Sequence, residues 1–308
     1  MRATEPMFRF AHLSDPHLSD PSSARLSDLA GKRLLGYLSW QRRRRHEHLR
    51  EVLDDLIRDL ATRAPDHTVV TGDLTQISLP QEFAEARDWL QSLGPPSDVT
   101  VIPGNHDAYV RTPRGTSVGL WSDYMSADSA ANDASGAFPF IRVRGPVAFI
   151  GLNSSLPSPP LFATGRLGEA QIGRLGHLLD SLRARKLVTV LLIHHPPAPG
   201  SEKWRKRLVD APSLCRLLAM QPVDMVLHGH QHRAERTAIA GPGREIPVFG
   251  VPSASASGRH LRDPATYLEV DVHPDTDGVH IEIKSRRWLG ERGRFGQETL
   301  AVIDRTFC

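Results

Sequence analysis

The sequence of 308 residues has little of what marks secreted, membrane-spanning or disordered proteins. It contains two cysteines, Cys215 and Cys308, so a framework of disulfide bonds is not expected. The longest aliphatic run, Leu187 to Ile193, is far shorter than the roughly 20 residues that a helix needs to cross a bilayer. Met1 to Phe10 has no apolar core of signal-peptide length. These absences favour a folded cytoplasmic protein.

The charge is small overall but unevenly placed along the chain. Hydrophobic residues make up 40% and charged residues 24%, and the net charge is +3 with neutral histidines, which is ordinary for a globular protein. Between Arg25 and Arg45, seven Lys and Arg residues stand against one acid, Asp28. The rest of the chain therefore carries a net negative charge, and the basic character belongs to this one segment.

The hydrophobic pattern of the first hundred residues predicts alternating strands and helices. Short apolar runs at 8–14, 67–71 and 99–102 predict strands, and apolar residues at helical spacing predict helices at 49–60 and 83–93. Such alternation is typical of parallel βαβ units. We therefore expect an α/β fold, and the length favours a single domain over 1–308.

The remaining pattern continues this order and adds two unusual segments. We expect a hairpin at 140–152, a helix at 172–182, a strand at 187–193, and a further helix and strand that end near residue 227. The stretch 111–137 has weak periodicity and predicts an irregular loop or lid. A basic amphipathic insertion is expected at about 19–46, and a C-terminal extension of antiparallel strands at about 246–308.

Polar residues follow five of the predicted strands. In chain order these clusters are Asp15-Pro16-His17, Gly72-Asp73, Gly104-Asn105-His106-Asp107, His194-His195-Pro196 and Gly229-His230-Gln231-His232. The carboxyl ends of parallel strands line one rim of a sheet, so these clusters should converge there. Each cluster alone is also typical of a cap, a turn or a buried pair. Together, their oxygen and nitrogen donors without thiolates favour a site for Mn, Fe, Zn, Co or Ni.

These ordered motifs, D-x-H, G-D, G-N-H-D, H-x-P and G-H-x-H, resemble the signature of the calcineurin-like metallophosphoesterase superfamily from about residue 8 to 235. The resemblance implies a four-layer α/β sandwich, with two mixed β-sheets flanked by helices. It implies two divalent metal ions. The first would be held by Asp15, His17 and His232, and the second by Asn105, His194 and His230. Asp73 would bridge them, and His195 would lie behind the ligands.

The same resemblance implies the hydrolysis of phosphoric esters. Two divalent ions stabilise the attacking and leaving oxygens and lower the pKa of bound water, so that metal-activated hydroxide attacks phosphorus. His106 would protonate the leaving alkoxide, and Asp107 would orient the His106 ring. The alternative from another class is a catalytically silent scaffold of the same fold. Such scaffolds typically lack a ligand or the His of G-N-H-D, whereas this chain has the complete set.

The basic segment Arg25–Arg45 allows more than one role. It places several leucines, Tyr37 and Trp40 beside Arg42–Arg45, the composition of an interfacial element attracted to anionic lipid. Glycines interrupt its helical pattern, so a helical hairpin packed on the domain with solvated arginines is the other interpretation. Nucleic acid is disfavoured, because no aromatic platform accompanies the arginines. Lipid contact would place the protein peripherally at the inner membrane surface.

Two substrate classes follow from these features. His194-His195-Pro196-Pro197 resembles the cyclic-nucleotide and glycerophosphodiester branch of the superfamily, which favours a small soluble phosphodiester. The basic insertion resembles the acyl-binding insertions of UDP-diacylglucosamine hydrolases, which favours an amphiphilic pyrophosphate. The sequence does not distinguish between these two substrate classes. It also does not identify the metal or the oligomeric state.

Overall fold

The computed structural model describes residues 6–128, 138–259, 263–291 and 293–306. Part of the predicted irregular stretch 111–137, and Cys308, lie outside these ranges. In chain order the strands are β1 (Phe8–Leu13), β2 (His67–Val70), β3 (Val99–Val101), β4 (Phe140–Arg144), β5 (Val147–Gly151), β6 (Val188–Leu192), β7 (Met225–His228), β8 (Glu235–Ala240), β9 (Glu245–Gly250), β10 (Thr266–Pro274), β11 (Gly278–Trp288) and β12 (Phe295–Thr306).

The four longest helices of the described residues lie where apolar residues recur at helical spacing, and two shorter helices lie in the basic insertion. In chain order the helices are α1 (Lys32–Ser39), α2 (Arg45–Glu47), α3 (Arg50–Arg63), α4 (Pro80–Leu93), α5 (Glu169–Leu182) and α6 (Ala211–Met220). A π-helical turn, Trp40–Arg44, joins α1 to α2. Helix α4 begins at Pro80, where a missing N–H costs no hydrogen bond, and ends at Leu93, with Gly94 as its C-cap.

The strands form two mixed sheets of six strands each, in the order β12-β11-β10-β1-β2-β3 and β4-β5-β6-β7-β9-β8. Strands β1, β2 and β3 are parallel, as are β5, β6, β7 and β9. The C-terminal strands β10, β11 and β12 extend the first sheet in antiparallel pairs beside β1. The predicted α/β fold with two mixed sheets is therefore confirmed.

The two sheets pack face to face between two layers of helices. Phe10 of β1 meets Phe149 of β5 edge to face, with ring centroids 5.0 Å apart, so the inner faces form one buried core. Alternate residues of β5, Ala148 and Ile150, belong instead to a second apolar cluster with α5 and α6. Because successive side chains of a strand point to opposite faces, β5 contributes apolar side chains to both faces of the second sheet.

Three details of the tail and the loops differ from the sequence expectation. Strand β9 was expected to be antiparallel, but it pairs parallel with β7 and antiparallel with β8. Strand β8 was not predicted, and β12 lies within the predicted C-terminal extension but was not predicted as a separate strand. Both lie at sheet edges, and each buries only one side chain, Ile239 in β8 and Ala301 in β12. The alternation that identifies a half-buried strand is therefore missing from them.

The predicted irregular stretch is partly ordered against the domain. A 3₁₀ helix, Val118–Tyr124, lies beside α4. Trp121 is fully buried, and its indole Nε1 donates to the carbonyl of Phe83 over 3.0 Å. This part of the stretch is a packed element and not a loose lid.

The basic insertion packs on the domain through its middle. Trp40 is 6% exposed, and Arg33 donates to the carbonyls of Ile77 and Ser78 over 3.2 and 2.6 Å. Leu26 and Leu34, by contrast, are 89% and 46% exposed. In the described part of the chain, no helix is long and apolar enough to cross a membrane.

Candidate metal centre

The five polar clusters follow β1, β2, β3, β6 and β7, and their loops are tied to one another by backbone hydrogen bonds. The Asp15 and His17 N–H groups donate to the carbonyls of Gly72 and Asp73 over 2.9 and 3.1 Å. The Gly229 N–H donates to the carbonyl of His194 over 3.2 Å. The predicted convergence of the motifs at the carboxyl ends of parallel strands is therefore observed.

Two motif glycines allow these loops to touch. A Cβ atom on Gly104 would lie 2.2 Å from Asp73 Oδ1, and one on Gly229 would lie 2.3 Å from Asp15 Oδ2. Both distances are far below van der Waals contact. Glycine is therefore required at these positions because another loop's carboxylate occupies the space of a side chain.

The first group of donor atoms comes from the D-x-H, G-D and G-H-x-H motifs. One donor atom from each of Asp15, His17, Asp73 and His232 lies within 4.8 Å of the others. The His17 Nδ1 contacts the carbonyl of Thr75 at 3.0 Å, which leaves Nε2 facing the group. His232 Nε2 lies 3.0 Å from Asp15 Oδ1 and 3.2 Å from His17 Nε2.

The second group shares Asp73 with the first. Donor atoms of Asp73, His194 and His230 lie within 4.8 Å of one another. The Asn105 Oδ1 joins them, 3.1 Å from His194 Nε2 and 2.7 Å from His230 Nδ1. The other nitrogens of the two rings contact carbonyls, of Thr71 at 2.7 Å and of Lys206 at 3.0 Å. This outer pairing fixes the tautomer of a metal-binding histidine.

The electrostatics of both groups favour a cation. Burial lowers the pKa of His194, but the carboxylates of Asp73 and Asp15 outweigh burial and raise that pKa to about 9. Burial opposes the ionised form of Asp73, yet the adjacent His194 and His106 hold its pKa well below the usual range. Buried carboxylates that stay ionised beside convergent ring nitrogens fit divalent cations.

The backbone is also strained at this site. Asp15, His17, Asp73, His230 and His232 all have positive φ angles, between 44° and 71°. Side chains other than glycine rarely adopt this left-handed region, and such residues cluster at functional sites. Five of the seven residues that the sequence proposes as ligands are therefore held in conformations that the fold must enforce.

His106 and Asp107 lie beside the donor groups, with the His106 ring centroid 4.9 Å from that of His17, but they do not form a pair. The His106 Nδ1 lies 2.5 Å from the carbonyl of Gln76. The Asp107 carboxylate accepts the N–H groups of Asp73, Gly104 and Thr75, at 2.9, 2.8 and 3.0 Å. The expected contact between Asp107 and the His106 ring is therefore not the one that the structure shows for the Asp107 carboxylate. Asp107 holds two of the converging loops together, and the Gln76 carbonyl orients the ring.

His195 lies behind the second donor group, as expected. Its Nδ1 lies 2.8 Å from the Ser154 hydroxyl, and its Nε2 lies 3.2 Å from the carbonyl of Ala163. Its ring centroid is 4.4 Å from that of His230. Because both of its ring nitrogens contact protein atoms, His195 supports the ligands by packing.

Two residues of the basic insertion reach the site and were not identified from the sequence. Arg44 Nη1 lies 3.0 Å from His106 Nδ1, and Nη2 donates to the carbonyl of Gly36 over 2.8 Å. The ring centroid of His48 lies 4.5 Å from that of His17. Neither belongs to a motif, and only the position of the insertion next to the first motif gave a signal.

A cavity of about 600 Å³ opens beside both donor groups. Its wall includes site residues such as Asp73, Asn105 and His230, and the aromatic rings of Tyr109 and Phe162. It also includes four cationic side chains, Arg43, Arg44, Lys206 and Arg233. Beyond the donor residues, the wall includes two carboxylates, Glu47 and Asp263. The cationic side chains thus outnumber the acidic ones by four to two, which suits an anionic ligand.

Comparisons with known proteins agree with this geometry. Two curated relatives are named probable cyclic nucleotide phosphodiesterases. The one from Synechococcus sp. is 29% identical over 233 residues, 72% of this chain and 82% of that protein. The one from Rhodococcus erythropolis is 28% identical over 267 residues, 84% of this chain and 72% of that protein.

Solved structures share the fold at low identity. A dimetal phosphatase from Danio rerio superposes with a TM-score of 0.64 at 12% identity, over 98% of this chain and 99% of that chain. A purple acid phosphatase from yellow lupin seeds superposes with a TM-score of 0.58 at 15% identity, over 96% of this chain and 53% of that chain. The family model for calcineurin-like phosphoesterases matches residues 8–234. The chain therefore belongs to the calcineurin-like phosphoesterase family and is a metal-dependent phosphoester hydrolase.

Proposed function

We propose that the protein hydrolyses small soluble phosphodiesters, of the kind that cyclic nucleotides represent, at a two-metal centre. The observation that carries this proposal is the pair of donor groups that share Asp73 beside a cavity lined by more cationic than acidic side chains. The first ion would be held by Asp15, His17 and His232, and the second by Asn105, His194 and His230. Asp73 would contact both.

The chain's own residues would prepare the substrate for in-line displacement. When bound, the two ions supply charge to the phosphoryl oxygens and lower the pKa of water. Arg44, whose Nε is buried without a hydrogen-bond partner among the described residues, faces the cavity and would attract a phosphate oxygen. Tyr109 and Phe162 would offer aromatic surface to the leaving group.

His106 would transfer a proton to the leaving oxygen. Burial and the neighbouring Arg44 hold the pKa of His106 well below its usual range, although Asp73 opposes this. The ring is therefore neutral in the free protein and would take up a proton as an anionic substrate offsets the charge of Arg44. A proton held beside a guanidinium is readily released, which suits a general acid.

The size of the cavity and the relatives support the substrate class. A cavity of about 600 Å³ falls within the range typical of small-molecule sites. The relatives that match most of this chain are named probable cyclic nucleotide phosphodiesterases. The complete donor set and the presence of His106 also argue against a catalytically silent scaffold, because such scaffolds typically lack one of these residues.

The test is a substrate panel with and without Mn²⁺ and a chelator. We expect chelator-sensitive hydrolysis of bis(p-nitrophenyl) phosphate and of cyclic AMP, with lower activity on p-nitrophenyl phosphate. A strong preference for the monoester would contradict the diesterase assignment. The Asp73→Asn variant serves as the control for a contaminating phosphatase, because it removes the carboxylate that both donor groups share.

A second candidate is an amphiphilic pyrophosphate taken up at the inner membrane surface. The observation in its favour is the exposure of Leu26, Leu34 and Leu35, at 89%, 46% and 46%, on the insertion that also contributes Arg43 to the cavity. Adding anionic vesicles and a diacylated UDP-sugar to the panel distinguishes the two. A rate on the acylated substrate that rises with vesicles, and that Leu34→Ser with Leu35→Ser abolishes, would favour this candidate over the soluble diester.

A further inference from the structure

His48 reaches the first donor group from outside the five motifs. It lies between α2 and α3, at the end of the basic insertion. A β-bridge pairs it with Ala256, and the N–H of Leu49 donates to the carbonyl of Ser255 over 2.8 Å. The backbone of His48 is thus fixed to the loop that follows β9 and does not depend on the exposed part of the insertion.

The hydrogen bonds around His48 suit a ring that carries its proton on Nδ1. The Ser253 hydroxyl donates its only proton to the carbonyl of Asp15 over 2.6 Å. With that proton engaged, the Ser253 oxygen can accept from a protonated His48 Nδ1, which lies 3.0 Å from both the Ser253 and the Ser255 oxygens. In a neutral ring with a protonated Nδ1, the Nε2 carries a lone pair.

That lone pair has no donor in the described part of the chain. The Nε2 of His48 is buried without a hydrogen-bond partner among the described residues. A buried acceptor that lacks a partner costs free energy, so it requires an explanation. His17 also has its Nδ1 on an oxygen, the Thr75 carbonyl, and its Nε2 lies 3.2 Å from the Nε2 of His232.

The position of the ring fits an ion shared with His17 and His232. One ring nitrogen from each of the three histidines lies within 4.8 Å of the others. The His48 ring centroid is 4.5 Å from that of His17 and 5.3 Å from that of His232. Two nitrogens on one zinc-like ion, each about 2.0–2.1 Å from it, lie no more than about 4.2 Å apart, so a small movement would bring all three into contact with one ion.

We propose that His48 is a further ligand of the first metal ion, through Nε2. This inference rests on the proposed two-metal centre and adds a third imidazole to the site of Asp15, His17 and His232. A site richer in nitrogen favours Zn²⁺, Co²⁺, Ni²⁺ or Fe²⁺ over Mn²⁺ and Mg²⁺, which prefer oxygen ligands. The basic insertion would thus determine which metal the enzyme uses.

The direct test is nuclear magnetic resonance of the full chain, labelled with ¹⁵N-histidine and loaded with ¹¹³Cd²⁺. We expect one-bond coupling between ¹¹³Cd and the Nε2 of His48, in addition to couplings at the proposed histidine ligands. Coupling at those histidines without coupling at His48 would overturn the inference and leave the two-metal function standing. No coupling at any histidine would remove the two-metal function and the inference with it.

Metal competition titrations of variants supply a second readout. His48→Gln should weaken the binding of Zn²⁺ at one of the two sites by about 10-fold or more and should reduce the preference for Zn²⁺ over Mn²⁺. His67→Gln is the matched control, because His67 is also buried but contacts Thr100 inside the first sheet. A loss of affinity in His48→Gln without Cd coupling in the wild type would make His48 a positioning residue and would also overturn the proposal.

Discussion

At the scale of single residues, the site stores backbone strain that its neighbours enforce. A left-handed conformation costs roughly 1–2 kcal/mol for a residue with a side chain. Asp15 and Asp73 nevertheless adopt it, with φ angles of 53° and 56°. Backbone hydrogen bonds between their loops hold them in this conformation. The fold therefore holds these side chains so that they point at a common centre.

Asp73 contributes its carboxylate to both donor groups. We expect Asp73→Asn to weaken both ions by at least about 10-fold and to reduce turnover to near background, because a neutral amide replaces the shared anion. Metal content after dialysis and the kcat for bis(p-nitrophenyl) phosphate check this. Asp88→Asn, on an exposed carboxylate paired with Arg87, should retain two ions. Full metal content in Asp73→Asn would contradict the bridging role.

The leaving group separates the roles of His106 and Asp107. We expect His106→Gln to retain both ions and to lose about 100-fold or more in kcat with an alkyl leaving group, but little with p-nitrophenol, because a good leaving group needs no proton. Asp107→Asn should act differently. Its carboxylate accepts three backbone N–H groups, so its loss should reduce metal content and lower the rate equally for both leaving groups.

A plot of log kcat against leaving-group pKa measures this difference. Its slope should become steeper in His106→Gln and stay unchanged in Asp107→Asn. Equal losses for both leaving groups in His106→Gln would argue against its acid role, and a metal-replete Asp107→Asn would argue against the loop-holding role assigned to that carboxylate.

At the scale of elements, the basic insertion contributes two neighbouring cationic residues to the cavity, Arg43 and Arg44. Arg43 lines the cavity, whereas its exposed neighbour Arg42 does not. We expect Arg43→Ala to raise the KM for an anionic diester by about 2- to 10-fold at low salt, an effect that added salt should remove. Arg42→Ala, matched in charge and exposure, should leave KM unchanged. Equal effects of the two variants would indicate a general field instead of a local contact.

The elements also show how far the sequence predicts this fold. Strands β1, β2, β3 and β6 were predicted because they lie in short apolar runs, and helices α3 and α4 because their buried apolar residues recur at helical spacing. The edge strands β8 and β12 were not identified as separate strands because each of them buries only one side chain. The site motifs were found because chemistry restricts them to a few residue types. The sequence did not identify His48 and Arg44 as site residues, because only the folding of the insertion brings them close to the motifs.

At the scale of the whole molecule, acid should destabilise the fold through buried neutral histidines. His67 is 1% exposed, and burial, with the nearby Arg144 and Arg142, lowers its pKa to about 3. In the unfolded chain a histidine titrates near its ordinary pKa of about 6.5. Between these values the unfolded state binds one more proton at this residue. The stabilising contribution of neutral His67 is therefore present above pH 6.5 and is lost as the pH falls towards 3.

Each such histidine adds up to about 1.4 kcal/mol per pH unit to the slope of unfolding free energy against pH in that window. We expect His67→Gln to reduce the slope by up to this amount between pH 6 and pH 4, measured by urea unfolding of chelated protein so that metal release does not contribute. His280→Gln is the control, because His280 lies on the surface and pairs with Asp304. An unchanged slope in His67→Gln would mean that its ring takes up a proton inside the folded protein, and the interior between β2 and β3 would then have to accommodate that charge.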